Sequence, residues 1–356
     1  MGSPHPADLG LAEARALVQR AVDKAEQLGL RGAVAVVGAS GTLLTASRMD
    51  AGGPGGMARA RSKAWISATQ QIPSSEHLHR MTTIAPPVAA GFAQASPEAL
   101  FPGAGGMPVS AGGVAGAGGV AGAGGVAGAG GVAGAGGVVV AGIAASGATV
   151  SPFFPEGVDP RVVSADGRPA NPEDLLIAYA LGVPYTGQHG DDQKRWEQRF
   201  GDLAVDPADS LGMAPAPPAG RQAQLDWARG LCDAAMDAAA RRGVLIAVAV
   251  VDRGGDPVQQ DLMDGGPAGG VAIAQAVAGA AALFDCGSGN LSARFGQPDR
   301  GADPVAALAA LVVPPVLGIP GGLPVRDGRQ VVAGIGVGGG DPDACADIAR
   351  IALDAS

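Results

Sequence analysis

The sequence predicts an α+β fold built twice in tandem. Three observations predict it: a long self-match at one offset, helices alternating with hairpins inside each match, and a shared closing pattern. Residues 11–68 lie over 225–282 at a constant offset of 214, without a gap. Ala14-Arg15 meets Ala228-Arg229, and Ala21, Asp23 and Ala25 meet Ala235, Asp237 and Ala239. The run Ala33–Val37 recurs as Ala247–Val251, Met49-Asp50 recurs as Met263-Asp264, and Gly52, Gly55, Gly56, Ala60, Ala64 and Ala68 all recur. Coincidence over so long a stretch marks a duplicated fold.

Each copy reads the same way. Leu11–Leu28 and Leu225–Arg242 carry apolar residues at helical spacing, with Gly29 or Gly243 just past the end, where a left-handed cap is needed. A Val-rich buried strand follows, then a turn at Ala39–Gly41 or Arg253–Gly255. A second strand, Thr42–Arg48 or Asp256–Leu262, closes a hairpin. A Gly-rich loop then leads to an Ala-rich helix at Met57–Gln70 and Val271–Phe284. Helices alternating with hairpins predict an antiparallel sheet covered by helices.

The ends of the copies match too. Met107-Pro-Val109 corresponds to Leu323-Pro-Val325, and Val139–Ile143 to Val331–Ile335. Between these blocks the first copy has 29 residues and the second five, an excess of four Ala-Gly-Gly-Val-Ala-Gly units. The array at 111–138 is therefore expected to be an expanded hairpin turn standing where Arg326–Gln330 stands in the second copy.

The predicted organisation is a first domain at 9–150, a Pro-rich connector at 151–221 and a second domain at 222–356. The second copy closes with a helix at Asp343–Asp354, which the first is expected to lack, because Pro152, Pro155 and Pro160 forbid continuous helix there. Inside the connector, Asn171 as N-cap, Pro172 at N1 and Glu173-Asp174 in the first turn sign one helix. Asp191–Phe200 is a second candidate.

Composition excludes some functions. A net charge of −9 offers no basic stripe for nucleic acid. No apolar run is membrane-length, and the N-terminus shows no signal-peptide pattern. Three cysteines without CxxC spacing, Cys232, Cys286 and Cys345, fit buried thiols in a reducing cytoplasm. No nucleophile elbow, P-loop, dinucleotide fingerprint or HExxH motif is present.

The ordered motifs resemble the GlcG/HbpS-like family of haem-binding proteins, which also covers the C-terminal domain of PduO-type adenosyltransferases. They are Arg48-Met-Asp50, Ala60-Arg-Ser-Lys63-Ala64, Phe101-Pro-Gly, Pro320-Gly-Gly-Leu-Pro324, Gly334–Gly340 and Asp347-Ile-Ala-Arg350. The resemblance spans roughly 9–150 and 222–355. It implies two domains, each a five-stranded antiparallel sheet flanked by helices. It also implies homo-oligomers built from repeated dimers, and binding of haem or another small ligand.

The copies differ at polar positions, which directs attention to the first. Arg48 aligns with Leu262 and Lys63 with Val277. This cation pair suits a carboxylate or a haem propionate, or else forms a surface salt bridge. Asp50, matched by Asp264, is a turn-former, a helix N-terminal acid or a ligand contact. His77 and His79 follow the Ala-rich helix, in a segment where the family places a variable loop near its ligand. They are candidate ligands for haem iron or a transition metal, or part of a solvated loop; both point one way only if the segment is extended. The second copy contains no histidine. The functional expectation is a cytoplasmic haem- or small-ligand-binding protein with its site in the first copy. The alternatives are an enzyme acting on a small carboxylate or carbonyl compound, and an oligomeric scaffold.

Overall fold

The computed structural model describes residues 9–96, 98–101, 103–111, 138–148, 159–163, 169–182, 223–291 and 316–355. In chain order the first repeat supplies α1 (Leu11–Gln27), β1 (Ala33–Gly38), β2 (Leu43–Arg48), α2 (Gly56–Gln70), α3 (Ser74–Thr83), α4 (Pro86–Ala95), β3 (Gly106–Ser110) and β4 (Val139–Ser146). The connector adds β5 (Asp159–Val163), β6 (Pro169–Ala170) and α5 (Pro172–Leu181). The second repeat supplies α6 (Ala223–Arg241), β7 (Ala247–Asp252), β8 (Pro257–Leu262), α7 (Gly270–Phe284), β9 (Gly322–Asp327), β10 (Gln330–Gly338) and α8 (Pro342–Asp354). The architecture is α+β, with helices flanking antiparallel sheet.

The chain divides into two compact units, one of Met1–Thr42 with Ala51–Ala219, the other of Leu43–Asp50 with Gly220–Ser356. In the first unit the strands run in the order β3-β4-β1, with Ala33 opposite Ser146 and Gly106 opposite Ala144. Both β1 and β4 are buried at every position, as strands covered on both faces must be. Helix α2 packs on all three strands, while α1 and α5 pack on each other and on the sheet. In the second unit the order is β2-β8-β7-β10-β9. Helix α7 lies on β7, β9 and β10, and α6 and α8 pack together.

Two expectations are corrected here. The strands do not split into two five-stranded sheets: among the described residues each repeat supplies four main strands, and because β2 of the first repeat belongs to the second unit, that unit holds five and the first holds three. Nor does the first repeat lack a closing helix, because α5 supplies it. Asn171 caps α5 by accepting the N–H groups of Glu173 and Asp174 at 2.9 and 3.3 Å. Asp341 caps α8 in the same way, through Asp343 and Ala344 at 3.1 Å each. Pro160 lies in β5, and the closing helix comes after it, at α5. The candidate helix at 191–200 and the body of the glycine array lie outside the described residues. The array's two ends are joined as a hairpin's are: Ala111 N–H donates to the Val138 carbonyl, and β3 pairs with β4.

Alanine and glycine, rather than aromatics, set the helix–sheet spacing. A Cβ on Gly142 would stand 2.2 Å from the Ala64 carbonyl oxygen, and one on Gly334 would stand 2.3 Å from that of Ala278. Strand and helix backbones touch there, equivalently in both units. Gly142→Ala should therefore destabilise the first unit by about 1–3 kcal/mol, the usual range for overpacking. A denaturant midpoint equal to wild type would show that α2 withdraws freely.

Candidate functional site

Lys63 projects from the middle of α2, on the buried side among Ala60, Ala64 and Ser67. Its Nζ meets Glu173 Oε2 of α5 at 2.5 Å, and the two side chains are only 4% and 6% exposed. The other Glu173 oxygen accepts the N–H groups of Gly147 and Ala148 at 2.7 and 3.2 Å. The next residue, Asp174, accepts the Gly105 N–H through Oδ1 at 2.5 Å. Gly105 reaches that position at φ +103, where a side chain would be strained. Burial pushes the Asp174 carboxyl up to about 7; the Gly105 N–H and the Lys63 charge pull it down, and Glu173 pushes it up. A cation, a carboxylate and a proton-holding carboxyl thus share one buried cluster in the first unit. The Phe101 ring borders it, 5.8 Å from Nζ.

The segment bearing the two histidines is helix α3, not a loop or an extended strand. This corrects the expectation that both might point one way, since residues two apart on a helix do not share a face. The His79 side chain lies outside the described residues. His77 is 3% exposed, with its ring tilted against Phe92 of α4 at a centroid distance of 5.4 Å. Burial lowers its pKa, the Arg80 charge adding to this, so the imidazole is held neutral. Its Nε2 is buried without a hydrogen-bond partner, as are the hydroxyls of Ser75 on α3 and Ser67 on α2.

The second unit shows what this region looks like without those groups. Ser74 Oγ donates to the Gly103 carbonyl at 2.5 Å, and Ser288 Oγ donates to the Ile319 carbonyl at 2.6 Å, which carries the 214-residue offset past α2 and α7. The counterparts of Lys63, Ser67, Ser75 and His77 are then Val277, Ala281, Gly289 and Leu291. Leu291 is fully buried in an apolar cluster with Ala280 and Val316. One repeat closes this region with hydrocarbon. The other closes it with polar groups, several of them unsatisfied.

Arg48 and Asp50 fall in the second unit, whereas Lys63 and His77 fall in the first. Arg48 donates to Asp252 Oδ2 at 2.5 Å and lies 3.4 Å from Asp256 Oδ2. Asp50 Oδ1 accepts the Leu225 N–H in the first turn of α6 at 3.0 Å. Of its sequence readings, that contact matches the helix N-terminal acid. Sequence reasoning marked Glu173 and Asp174 only as first-turn acids of α5. No local pattern announces a partner 110 residues away.

Among the described residues, no three His, Cys, Asp or Glu side chains gather to hold a metal ion, and no helix is long and apolar enough to cross a membrane. All three cysteines are free.

The family model for the haem degrading protein HbpS-like matches residues 9–129 and 224–354. No curated protein matches the chain. Among solved structures, protein ORFY of Klebsiella pneumoniae is 26% identical over 37% of this chain and 88% of its own, with a TM-score of 0.34. A double mutant of HbpS from Streptomyces reticuli is 29% identical over 40% of this chain and 97% of its own, at 0.32. The PduOC–heme complex is 22% identical over 36% of this chain and 90% of its own, also at 0.32.

Proposed function

The chain belongs to the HbpS-like family of haem degrading proteins, and we propose that it binds haem or a related small ligand through its first repeat. One observation carries this reading. His77 keeps a neutral, unpartnered Nε2 inside the fold at the position where the second repeat places core Leu291. A buried polar atom left unpaired costs about 1–3 kcal/mol, so a group that satisfies it gains that much. Neutral imidazole is the form that iron accepts. The donor chemistry therefore fits haem, and His77 would hold the iron, the group itself supplying the redox chemistry when bound.

What the protein supplies is the setting. Phe92 of α4 lies tilted against the His77 ring and forms one wall of its surroundings. Ser67 on α2 and Ser75 on α3 offer buried hydroxyls without partners. Lys63 is already engaged: Glu173 neutralises it, and a propionate would have to displace that carboxylate. Arg48 likewise already meets Asp252 and Asp256. This weakens the reading of a carboxylate-handling enzyme, because both cations are engaged by the chain's own acids. A cytoplasmic setting accords with three free thiols.

Haem titrated into the full chain should raise a Soret band that His77→Ala shifts or abolishes and His79→Ala leaves in place. An unchanged spectrum and affinity in His77→Ala would remove the axial ligand from this reading. No Soret shift in the wild-type chain would remove haem.

A further inference from the structure

Within the second unit, β2 lies antiparallel to β8 with Thr45 opposite Asp261, Ala46 opposite Gln260, and Ser47 opposite Gln259. Under the repeat offset of 214, Gln260 is the counterpart of Ala46 itself. Thr45 faces the counterpart of Ser47, and Ser47 faces the counterpart of Thr45. A strand acquires this register when it pairs with a copy of itself about a twofold axis, here passing between Ala46 and Gln260. The chain thus gives β2 its own counterpart from the other repeat as antiparallel partner, and such a pairing carries a local twofold axis.

The side chains across the seam have diverged in a complementary sense. Thr45 Oγ1 donates to Asp261 Oδ1 at 2.8 Å, and Ser47 Oγ donates to Gln259 Oε1 at 2.6 Å. Gln259 Nε2 donates to Asp261 Oδ2 at 2.9 Å, and Arg229 of α6 reaches Ser47 Oγ at 3.3 Å. Thr45, Ser47, Gln259 and Asp261 are all buried. Hydroxyl donors thus sit on β2, and the acceptors they use sit on β8. A β8–β8 pairing in this register would bring two Asp261 carboxylates into one buried seam, each opposite a Gln259. A β2–β2 pairing would set Thr45 and Ser47 hydroxyls against one another, a neutral pair without repulsion. The mixed pairing gives the Asp261 carboxylate a hydroxyl donor and keeps a second carboxylate out of the seam, so the buried polar pattern disfavours β8–β8 pairing.

We propose that the β2–β8 seam is a self-pairing strand edge, the contact one repeat makes with a second copy of itself, carried into a single chain by the duplication. The Thr45–Asp261 and Ser47–Gln259 pairs favour the β2–β8 seam, and the Asp261 carboxylates disfavour pairing of β8 with β8 of another molecule. Any larger assembly of the protein then uses other surfaces.

The test uses the full chain with a protease site inserted in the Met213–Gly220 stretch, folded first, cut, and weighed by native mass spectrometry. The two fragments should remain together as a mixed pair, with like-with-like pairs of the second fragment suppressed by more than about tenfold, since like-charge juxtaposition is costly. The double variant Gln259→Thr/Asp261→Ser gives β8 the hydroxyls of β2 and should lose that suppression, so that pairs of the second fragment appear. Where this variant fails to fold, Asp261→Asn tests the same point, because it removes only the carboxylate repulsion and should raise the like-with-like fraction. Wild-type fragments that separate, or that pair with their own kind as readily as with each other, would overturn the proposal. So would a double variant and an Asp261→Asn variant whose species match wild type.

Discussion

Lys63→Met is expected to lower the stability of the first unit by about 3–5 kcal/mol, the cost of removing one partner from a buried ion pair. The variant fills much of the lysine's volume, so packing loss is small and the effect is electrostatic. Glu173 would be left 6% exposed, holding its charge against only the Gly147 and Ala148 N–H groups. The loss should appear in amide hydrogen exchange of β1 and β4, which reports on this unit alone. Adding Glu173→Leu should recover most of it, since replacing a buried pair by hydrocarbon is often neutral or stabilising. The second repeat has no such buried pair: Val277 stands at the lysine position and Asp343, the Glu173 counterpart, is exposed. A loss under about 1 kcal/mol in the single variant, the range of hydrated pairs, would show that water reaches the cluster.

The duplication explains why so much of the fold was legible. Two noisy copies of one pattern constrain each other, so the amphipathic helices, the Val-rich strands and the Gly-capped ends could be placed within a residue or two. What was not legible depended on long-range partners. The destination of β2 was hidden because a hairpin signal fixes the strands' existence and not which neighbour the far edge takes. The role of α5 was hidden by an insertion of some twenty residues, most of them outside the described part, between Gly147 and its N-cap. His77 illustrates a third limit. Its helix reads like a solvated loop because Ser74-Ser75-Glu76 is polar, yet α3 buries Ser74, Ser75 and His77 together. Burial of polar groups contradicts the hydrophobic pattern that sequence reading relies on. Such local contradictions concentrate where a protein does its work.

Asp174 should give the first unit a stability that falls as pH rises from about 4 to about 7. The folded state keeps the Asp174 proton up to about 7, whereas an unfolded aspartate releases it near 3.9. Between those values the unfolded chain binds fewer protons than the folded one, so the slope of unfolding free energy with pH is negative. The contribution is fully present below the unfolded value and is lost once pH passes the folded one, a span of about 4 kcal/mol. Burial is the leading cause, so ionisation forces a further charge into a cluster that already contains Glu173 and Lys63. Asp174→Asn keeps an oxygen for the Gly105 N–H and cannot ionise, so the variant should lack this slope. The difference between wild-type and variant urea midpoints, followed from pH 4.5 to 8, should swing toward the variant and level off above 7. Parallel curves across that window would mean that Asp174 titrates in the folded chain as it does in the unfolded one, with water reaching the α5 N-terminus.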